Sequence, residues 1–249
     1  MNRPRDVLLA LMIAAAVAVS GCTAAGPRTL TVFAAASLTK VFTALGTSFE
    51  AQNPGVKVAF TFDGSSGLVD QLKGGARADV FASADQNNMT KAVDAKLTTG
   101  TPATFARNVL TLVVPPDNPG KVTGLNSSLN GKKLVVCAAE VPCGSATKTL
   151  AEKLQVTLKP VSEESKVSDV LGKVASGEAD AGVVYVTDAA GAVDKVRAIA
   201  IAGAEQVVNA YPIVALASAP QSELAARFVA LVTSAEGRRA LTQAGFLGP

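Results

Sequence analysis

Two short segments of the chain pass directly from an apolar, strand-like run into an amphipathic helical pattern, and each carries serine at the junction. Residues 30–33 precede Ser37, and residues 56–62 precede the adjacent Ser65 and Ser66. The start of a helix leaves backbone N–H groups without intrahelical partners, and the helix dipole makes that end partly positive. Two such starts, each with a hydroxyl beside the free amides, predict a site for a small oxyanion. Ser37 is also expected to act as the N-cap of its helix, a role that serine fills well.

Strand and helix patterns alternate along the chain in two sets. The first set, residues 30–82, has the order strand, helix, strand, helix, strand, which predicts a parallel sheet covered by helices. A second set of strands and helices occupies residues 108–186. Two helical stretches near the end, at 224–233 and 236–243, have no sheet of their own, so we expect them to pack on the first set.

This order predicts an α/β fold with two lobes, each a mainly parallel sheet flanked by helices, and two hinge crossovers between them. Lobe 1 is expected to comprise residues 29–106 and 209–249, and lobe 2 residues 107–208. Ligands of such folds bind at the carboxyl ends of the parallel strands. The cleft between the lobes is therefore the expected binding site.

The composition excludes several kinds of chemistry. The chain has no histidine, which excludes histidine-based acid–base catalysis and histidine metal ligands. A net charge of +3 without a cluster of lysine and arginine does not favour nucleic acid as a partner. Turn and capping roles are expected for the carboxylates at strand ends, which are Asp79, Asp85, Asp180 and Asp188. The alternative from another class of protein is a serine hydrolase that uses Ser37 or Ser65, and it would still need a base.

The first residues are typical of an export signal. A basic start and an apolar run over residues 7–19 predict a signal peptide over residues 1–21. The run ends in Val-Ser-Gly before Cys22, the pattern of a bacterial lipobox, so we expect lipid on Cys22 and a short tether over residues 22–28. A free cysteine near an ordinary cleavage site is the alternative. The expected location is outside the cytoplasm, anchored to the cell membrane by lipid.

The number of cysteines agrees with export. With Cys22 assigned to the lipid, Cys137 and Cys143 remain as a pair, and an even remainder in an exported chain favours a disulfide bond. Two buried free thiols are the alternative. Two cysteines without histidine make a poor set of metal ligands, so no metal centre and no cofactor are expected.

Four stretches of the chain resemble a known family. They are residues 32–39 (VFAAASLT), 78–86 (ADVFASADQ), 141–144 (VPCG) and 182–185 (GVVY), the last followed by Asp188. On these motifs, roughly residues 30–246 resemble the molybdate-binding proteins of bacterial ABC importers, within the two-lobed periplasmic binding proteins. The resemblance implies capture by hinge closure around a dehydrated oxyanion, without a chemical reaction.

The resemblance also implies that neutral donors from both lobes hold the oxyanion. The positions that match the family's binding residues are Ser37, Ser65, Cys143, Val167 and Tyr185. The serines would bind through hydroxyl and amide, the cysteine and valine through amides, and the tyrosine through its hydroxyl. Ser66, one position along, is the alternative to Ser65. At Cys143 the family has alanine, a difference that leaves the backbone donor unchanged.

The ligands that the resemblance implies are molybdate and tungstate, and the partner is an ABC permease with its ATPase. The protein is expected to be a monomer that touches the membrane only through its lipid. Another tetrahedral anion such as sulfate is the alternative ligand, because the residues do not decide the size of the anion. An adhesion or sensor lipoprotein that kept the fold without transport is a further alternative.

Overall fold

The computed structural model describes residues 28–249. The predicted signal peptide over residues 1–21, Cys22 and the tether up to residue 27 lie outside the described residues. Between residues 28 and 249, no helix combines the length and the apolar character needed to cross a bilayer.

Strands and helices alternate along the described residues. The strands are β1 (Arg28–Ala35), β2 (Val56–Asp63), β3 (Val80–Ala82), β4 (Thr98–Asn108), β5 (Leu110–Val114), β6 (Leu134–Cys137), β7 (Ser162–Glu164), β8 (Ala181–Tyr185), β9 (Arg197–Ile199) and β10 (Asn209–Leu216). The helices are α1 (Thr39–Gln52), α2 (Ser65–Lys73), α3 (Gln86–Asp94), α4 (Pro142–Lys153), α5 (Val167–Ala175), α6 (Val186–Ala190), α7 (Ser222–Thr233) and α8 (Ala235–Gln243).

The strands form two five-stranded sheets, one in each lobe. The order is β2-β1-β3-β10-β4 in the first and β7-β6-β8-β5-β9 in the second. In the first sheet β1 is parallel to β2 and β3, as the strand–helix alternation predicts, while β10 is antiparallel to β3 and β4. In the second sheet β6 is parallel to β7 and β8, and β5 is antiparallel to β8 and β9. The two-lobed α/β fold is confirmed. Each sheet is mixed rather than mainly parallel, because the strands at the crossovers, β10 in the first sheet and β5 in the second, run antiparallel to their neighbours.

The sequence pattern did not predict strands β4, β7 and β9 or helix α3, and β4 is the longest of these elements. It pairs only with β10, at the edge of its sheet, and most of its first seven residues are exposed. A half-exposed edge strand has little apolar alternation, and proline is tolerated in an edge strand because one of its sides has no partner strand. The pattern rules for buried strands therefore miss it.

The two helices at the end of the chain pack on the first lobe, as predicted. The ring centroid of Phe228 in α7 lies 6.0 Å from that of Phe42 and 5.4 Å from that of Phe49, both in α1. The carboxylate of Asp79 accepts hydrogen bonds from the amides of Thr31 in β1 (2.7 Å) and Gln221 before α7 (2.6 Å). The end of the chain is thereby joined to its first strand.

The chain passes between the two sheets at two crossovers. Asn108 ends β4 and Leu110 begins β5, and the return runs from β9 to β10. At these crossovers Asn108 and Asn209 are paired across β4 and β10. The lobe limits at single residues, 29–106 with 209–249 and 107–208, stay a prediction.

Candidate oxyanion-binding site

One small cavity lies between the lobes at the ends of the strands. Its lining residues are Ala35, Ala36, Ser37, Asp63, Gly64, Ser65 and Ala84 from the first lobe, and Val141, Pro142, Cys143, Val167 and Tyr185 from the second. The space free of atoms in it is about 200 Å³. All five residues that the family resemblance implies for the binding site thus lie in the lining of this one cavity.

Helix starts from both lobes converge on this cavity. Helix α2 begins at Ser65, α4 has Pro142 and Cys143 as its first residues, and α5 begins at Val167. The amides of a first helical turn have no acceptor within the helix. The backbone therefore offers donors to the cavity from three α-helices, two of them in the second lobe.

Ser65 is placed to donate its hydroxyl proton. The side chain is buried, and its Oγ accepts a hydrogen bond of 3.0 Å from the amide of Ala84. The proton of that hydroxyl is left for another acceptor. Ser66, the alternative, is buried but is not in the lining of the cavity.

Ser37 does not cap its helix, and that expectation is wrong. A short 3-10 turn over Ala36–Leu38 separates β1 from α1, so Leu38 occupies the N-cap position without a side-chain bond. The turn carries the Ser37 side chain away from the helix, and its Oγ lies 3.0 Å from the hydroxyl of Tyr211.

The hydroxyl of Tyr185 is buried without a hydrogen bond. The side chain is 1% exposed, and its hydroxyl has no hydrogen-bond partner in the structure. Burial holds the pKa of this phenol well above its usual value, so the group keeps its proton. Buried hydroxyls in native proteins are nearly always paired, and an exception calls for a reason. A ligand oxygen in the cavity would supply the missing acceptor.

The carboxylates near the site are used by the protein's own backbone. Asp85 accepts from the amide of Asn88 at the start of α3 (2.9 Å), and burial raises the pKa of Asp85. Asp188 accepts from the amide of Tyr185 (3.0 Å), and burial raises the pKa of Asp188 to about 7. Asp180 accepts from the amide of Lys133 (2.8 Å). The expected capping role is confirmed for Asp85 and Asp188, each at a helix start. For Asp79 and Asp180 the expectation is wrong, because these side chains bind backbone amides of segments far away in the sequence.

Asp63 is the one carboxylate in the cavity lining, and no lysine or arginine is in that lining. Its Oδ1 accepts from the amide of Gly64 (2.8 Å) and its Oδ2 from the side-chain amide of Gln71 (3.3 Å). Both oxygens are thus occupied by neutral donors on its own lobe. The cavity offers an anion neutral donors and no counter-charge.

A disulfide bond joins Cys137 at the end of β6 to Cys143 in the first turn of α4. The loop that it closes is tight, because a Cβ on Gly144 would lie 1.9 Å from the carbonyl oxygen of Ala138. The bond therefore holds the free amides of the α4 start at the edge of the second sheet.

The two lobes come into close contact beside the cavity. A Cβ on Gly64 would lie 2.1 Å from the carbonyl oxygen of Ser165 in the other lobe. The side-chain amide of Asn88 lies 3.5 Å from the carbonyl oxygen of Glu140 across the same gap. The structure is therefore of the closed arrangement, with donors of both lobes around one space.

The residues Ser37 and Lys40 have the spacing of a Ser-x-x-Lys nucleophile and base. The structure does not pair them: Lys40 is exposed, and the hydroxyl of Ser37 is hydrogen-bonded to Tyr211.

Tyr211 is a residue near the site that the sequence analysis did not identify. The scarcity of tyrosine could have drawn attention to it, because Tyr185 and Tyr211 are the only two tyrosines in the sequence. In the structure their ring centroids lie 5.9 Å apart.

Comparison with known proteins agrees with this geometry. Residues 30–247 match the family model of bacterial extracellular solute-binding proteins. The molybdate-binding protein ModA of Mycobacterium tuberculosis is 48% identical over 225 residues, which are 90% of this chain and 86% of that protein. ModA of Escherichia coli is 39% identical over 183 residues, 69% of this chain and 71% of that protein.

Among solved structures, the periplasmic molybdate-binding protein of Azotobacter vinelandii has a TM-score of 0.76 at 22% identity, covering 88% of this chain and 99% of that one. That likeness shows a shared fold. The relatives are solute-binding proteins rather than enzymes, and so is this chain, which disfavours the serine hydrolase. The chain belongs to the bacterial extracellular solute-binding proteins and, within them, to the family of the molybdate-binding protein ModA.

Proposed function

We propose that the inter-lobe cavity captures molybdate, and tungstate in the same way, for delivery to an ABC permease with its ATPase. The observation that carries the proposal is the buried, unpartnered hydroxyl of Tyr185 in a cavity that Ser37 and Ser65 also line. Leaving a buried hydroxyl without a partner costs about 1–3 kcal/mol, which a ligand oxygen would remove. The names of the relatives support molybdate as that ligand.

The donor set suits a dianion that must be released again. An anion that loses its water needs many short hydrogen bonds, and amides at helix starts supply them from fixed positions. An arginine would add a bidentate ion pair and hold the anion more tightly. No arginine or lysine lines this cavity, so separation of the lobes is enough to return the anion to water.

Capture proceeds by closure of the two lobes. Ser37 and Ser65 belong to the first lobe, whereas the amides of Cys143 and Val167 and the hydroxyl of Tyr185 belong to the second. In an open form each lobe would hold only part of the donor set. The anion thus favours the closed form, because only there are all of its oxygens satisfied. The protein acts as a monomer and uses no cofactor.

The ligand class is tested by thermal unfolding of residues 28–249 with molybdate, tungstate, sulfate and phosphate at equal concentration. A ligand that binds only the folded state raises the melting temperature in step with its affinity. We expect a rise with molybdate and tungstate and none with sulfate or phosphate. An equal or larger rise with sulfate would make sulfate the ligand, and no rise with any of the four would overturn the proposed function.

Tyr185→Phe separates binding from stability. The substitution removes a hydroxyl that has no hydrogen-bond partner among residues 28–249, so urea unfolding without ligand should show little change in stability. Affinity for molybdate, measured by isothermal titration, should fall by about 10–100-fold, the worth of a hydrogen bond to a charged group. Unchanged affinity would remove Tyr185 from the site.

Ser65→Ala has a matched control in its neighbour. Ser65 lines the cavity and Ser66 does not, although both are buried in the first turn of α2. Titration should show a loss of about 10–100-fold in molybdate affinity for Ser65→Ala and little change for Ser66→Ala. The reverse order of effects would move the binding role to Ser66.

We also propose that the protein is held at the outer face of the membrane by lipid on Cys22. The support is the lipobox-like sequence around that residue, which precedes the described part of the chain. Cys22→Ser should shift the full-length protein from the membrane fraction to the aqueous fraction of host cells. An equal distribution of the variant and the natural protein would contradict the lipid anchor.

A further inference from the structure

Tyr211 lies beside the binding cavity without lining it. It is 0% exposed in β10, next to the crossover between the lobes. Its ring is enclosed edge-on by Phe105, Tyr185 and Phe246, with centroid distances of 6.3, 5.9 and 5.4 Å. The ring is therefore held in one place, and the position of its hydroxyl is set by packing.

The hydrogen bonds around that hydroxyl have a defined direction. The amide of Val109 can only donate, so the atom of Asn108 that it meets at 3.0 Å is the oxygen. The side-chain nitrogen of Asn108 then faces the hydroxyl of Thr187 at 2.8 Å and, in a long contact of 3.5 Å, the hydroxyl of Tyr211. The Tyr211 oxygen consequently accepts from Asn108.

The proton of Tyr211 then points to Ser37. Burial raises the pKa of Tyr211, so the phenol keeps its proton. Within residues 28–249, the oxygen of Ser37, 3.0 Å away, is the acceptor within hydrogen-bond distance of the Tyr211 hydroxyl. The opposite direction would leave the buried proton of Tyr211 without a partner, which costs free energy.

Both serines of the cavity are therefore held in the same way. Ser65 accepts from the amide of Ala84. The need to pair the buried proton of Tyr211 makes Ser37 the acceptor in the second pair. A hydroxyl that already accepts from the protein has its own proton free for a ligand oxygen. The agreement between the two positions, reached through unrelated partners, points to one requirement: each serine must face the cavity as a donor.

We infer that Tyr211 is a positioning residue for anion capture, which donates to Ser37 and so turns the Ser37 proton toward the ligand. The inference rests on the proposed function of the cavity. Tyr211 does not touch the ligand, and its contribution exists only while Ser37 carries a hydroxyl. The expected effect of losing it is a loss of affinity that depends on Ser37.

A double-mutant cycle tests this dependence with molybdate as the probe. Titrations compare the natural protein, Tyr211→Phe, Ser37→Ala and the double variant. Tyr211→Phe keeps the packed ring and should lower affinity roughly 3–10-fold. In the Ser37→Ala background the same substitution should change affinity by less than about twofold, the range of simple additivity. Urea unfolding without ligand confirms that each variant is folded.

Tyr185→Phe is the matched control, because it is the same chemical change on a residue proposed to touch the ligand directly. Its loss of affinity should be similar with and without Ser37→Ala. An unchanged affinity for Tyr211→Phe, or an equal loss in both backgrounds, overturns the positioning role while the proposed function stands. Failure of the natural protein to bind molybdate overturns both.

Discussion

Backbone amides in the first turn of a helix have no acceptor within the helix. In this protein the candidate site is the place where several such helix starts meet. Strands of the two sheets end at the gap between the lobes, so the helices that follow them begin there and present free amides to one small cavity. Water or a ligand must satisfy these groups. A tetrahedral oxyanion does so from a single point, with oxygens directed at several helix starts at once.

The side chains around the amides complete this arrangement by controlling the direction of hydrogen bonds. The oxygen of Ser65 accepts from the amide of Ala84, and we infer that the oxygen of Ser37 accepts from the phenol of Tyr211. The phenol of Tyr185, 1% exposed in the closed arrangement, has no hydrogen-bond partner among residues 28–249. Under the proposed function, such a cavity would hold an anion by donors alone, with capture in the closed form and release in the open one.

Much of this could be predicted from the chain. The strand–helix–strand order of residues 30–82 predicted β1, β2 and β3 and their parallel pairing, because buried strands and amphipathic helices have distinct periods. Asp79 and the apolar face of α7 account for the return of the last helices to the first lobe. Strand β4 escaped prediction because an exposed edge strand is stabilised by its pairing with β10 rather than by its own pattern. The expected capping role of Ser37 was wrong because a 3-10 turn intervenes before α1.

By itself, the sequence determined the chemistry available to the site: serine hydroxyls beside helix starts, a cysteine pair, and no histidine. Local patterns carry that information because capping, periodicity and composition act over a few residues. Only the tertiary structure decided which of these groups meet. Tyr211 and Ser37 are 174 positions apart, and Cys143 and Val167 face Ser65 only across the gap between the lobes. Distances of that kind are set by the packing of whole sheets, so the direction of each hydrogen bond at the cavity follows from the fold and not from any single segment.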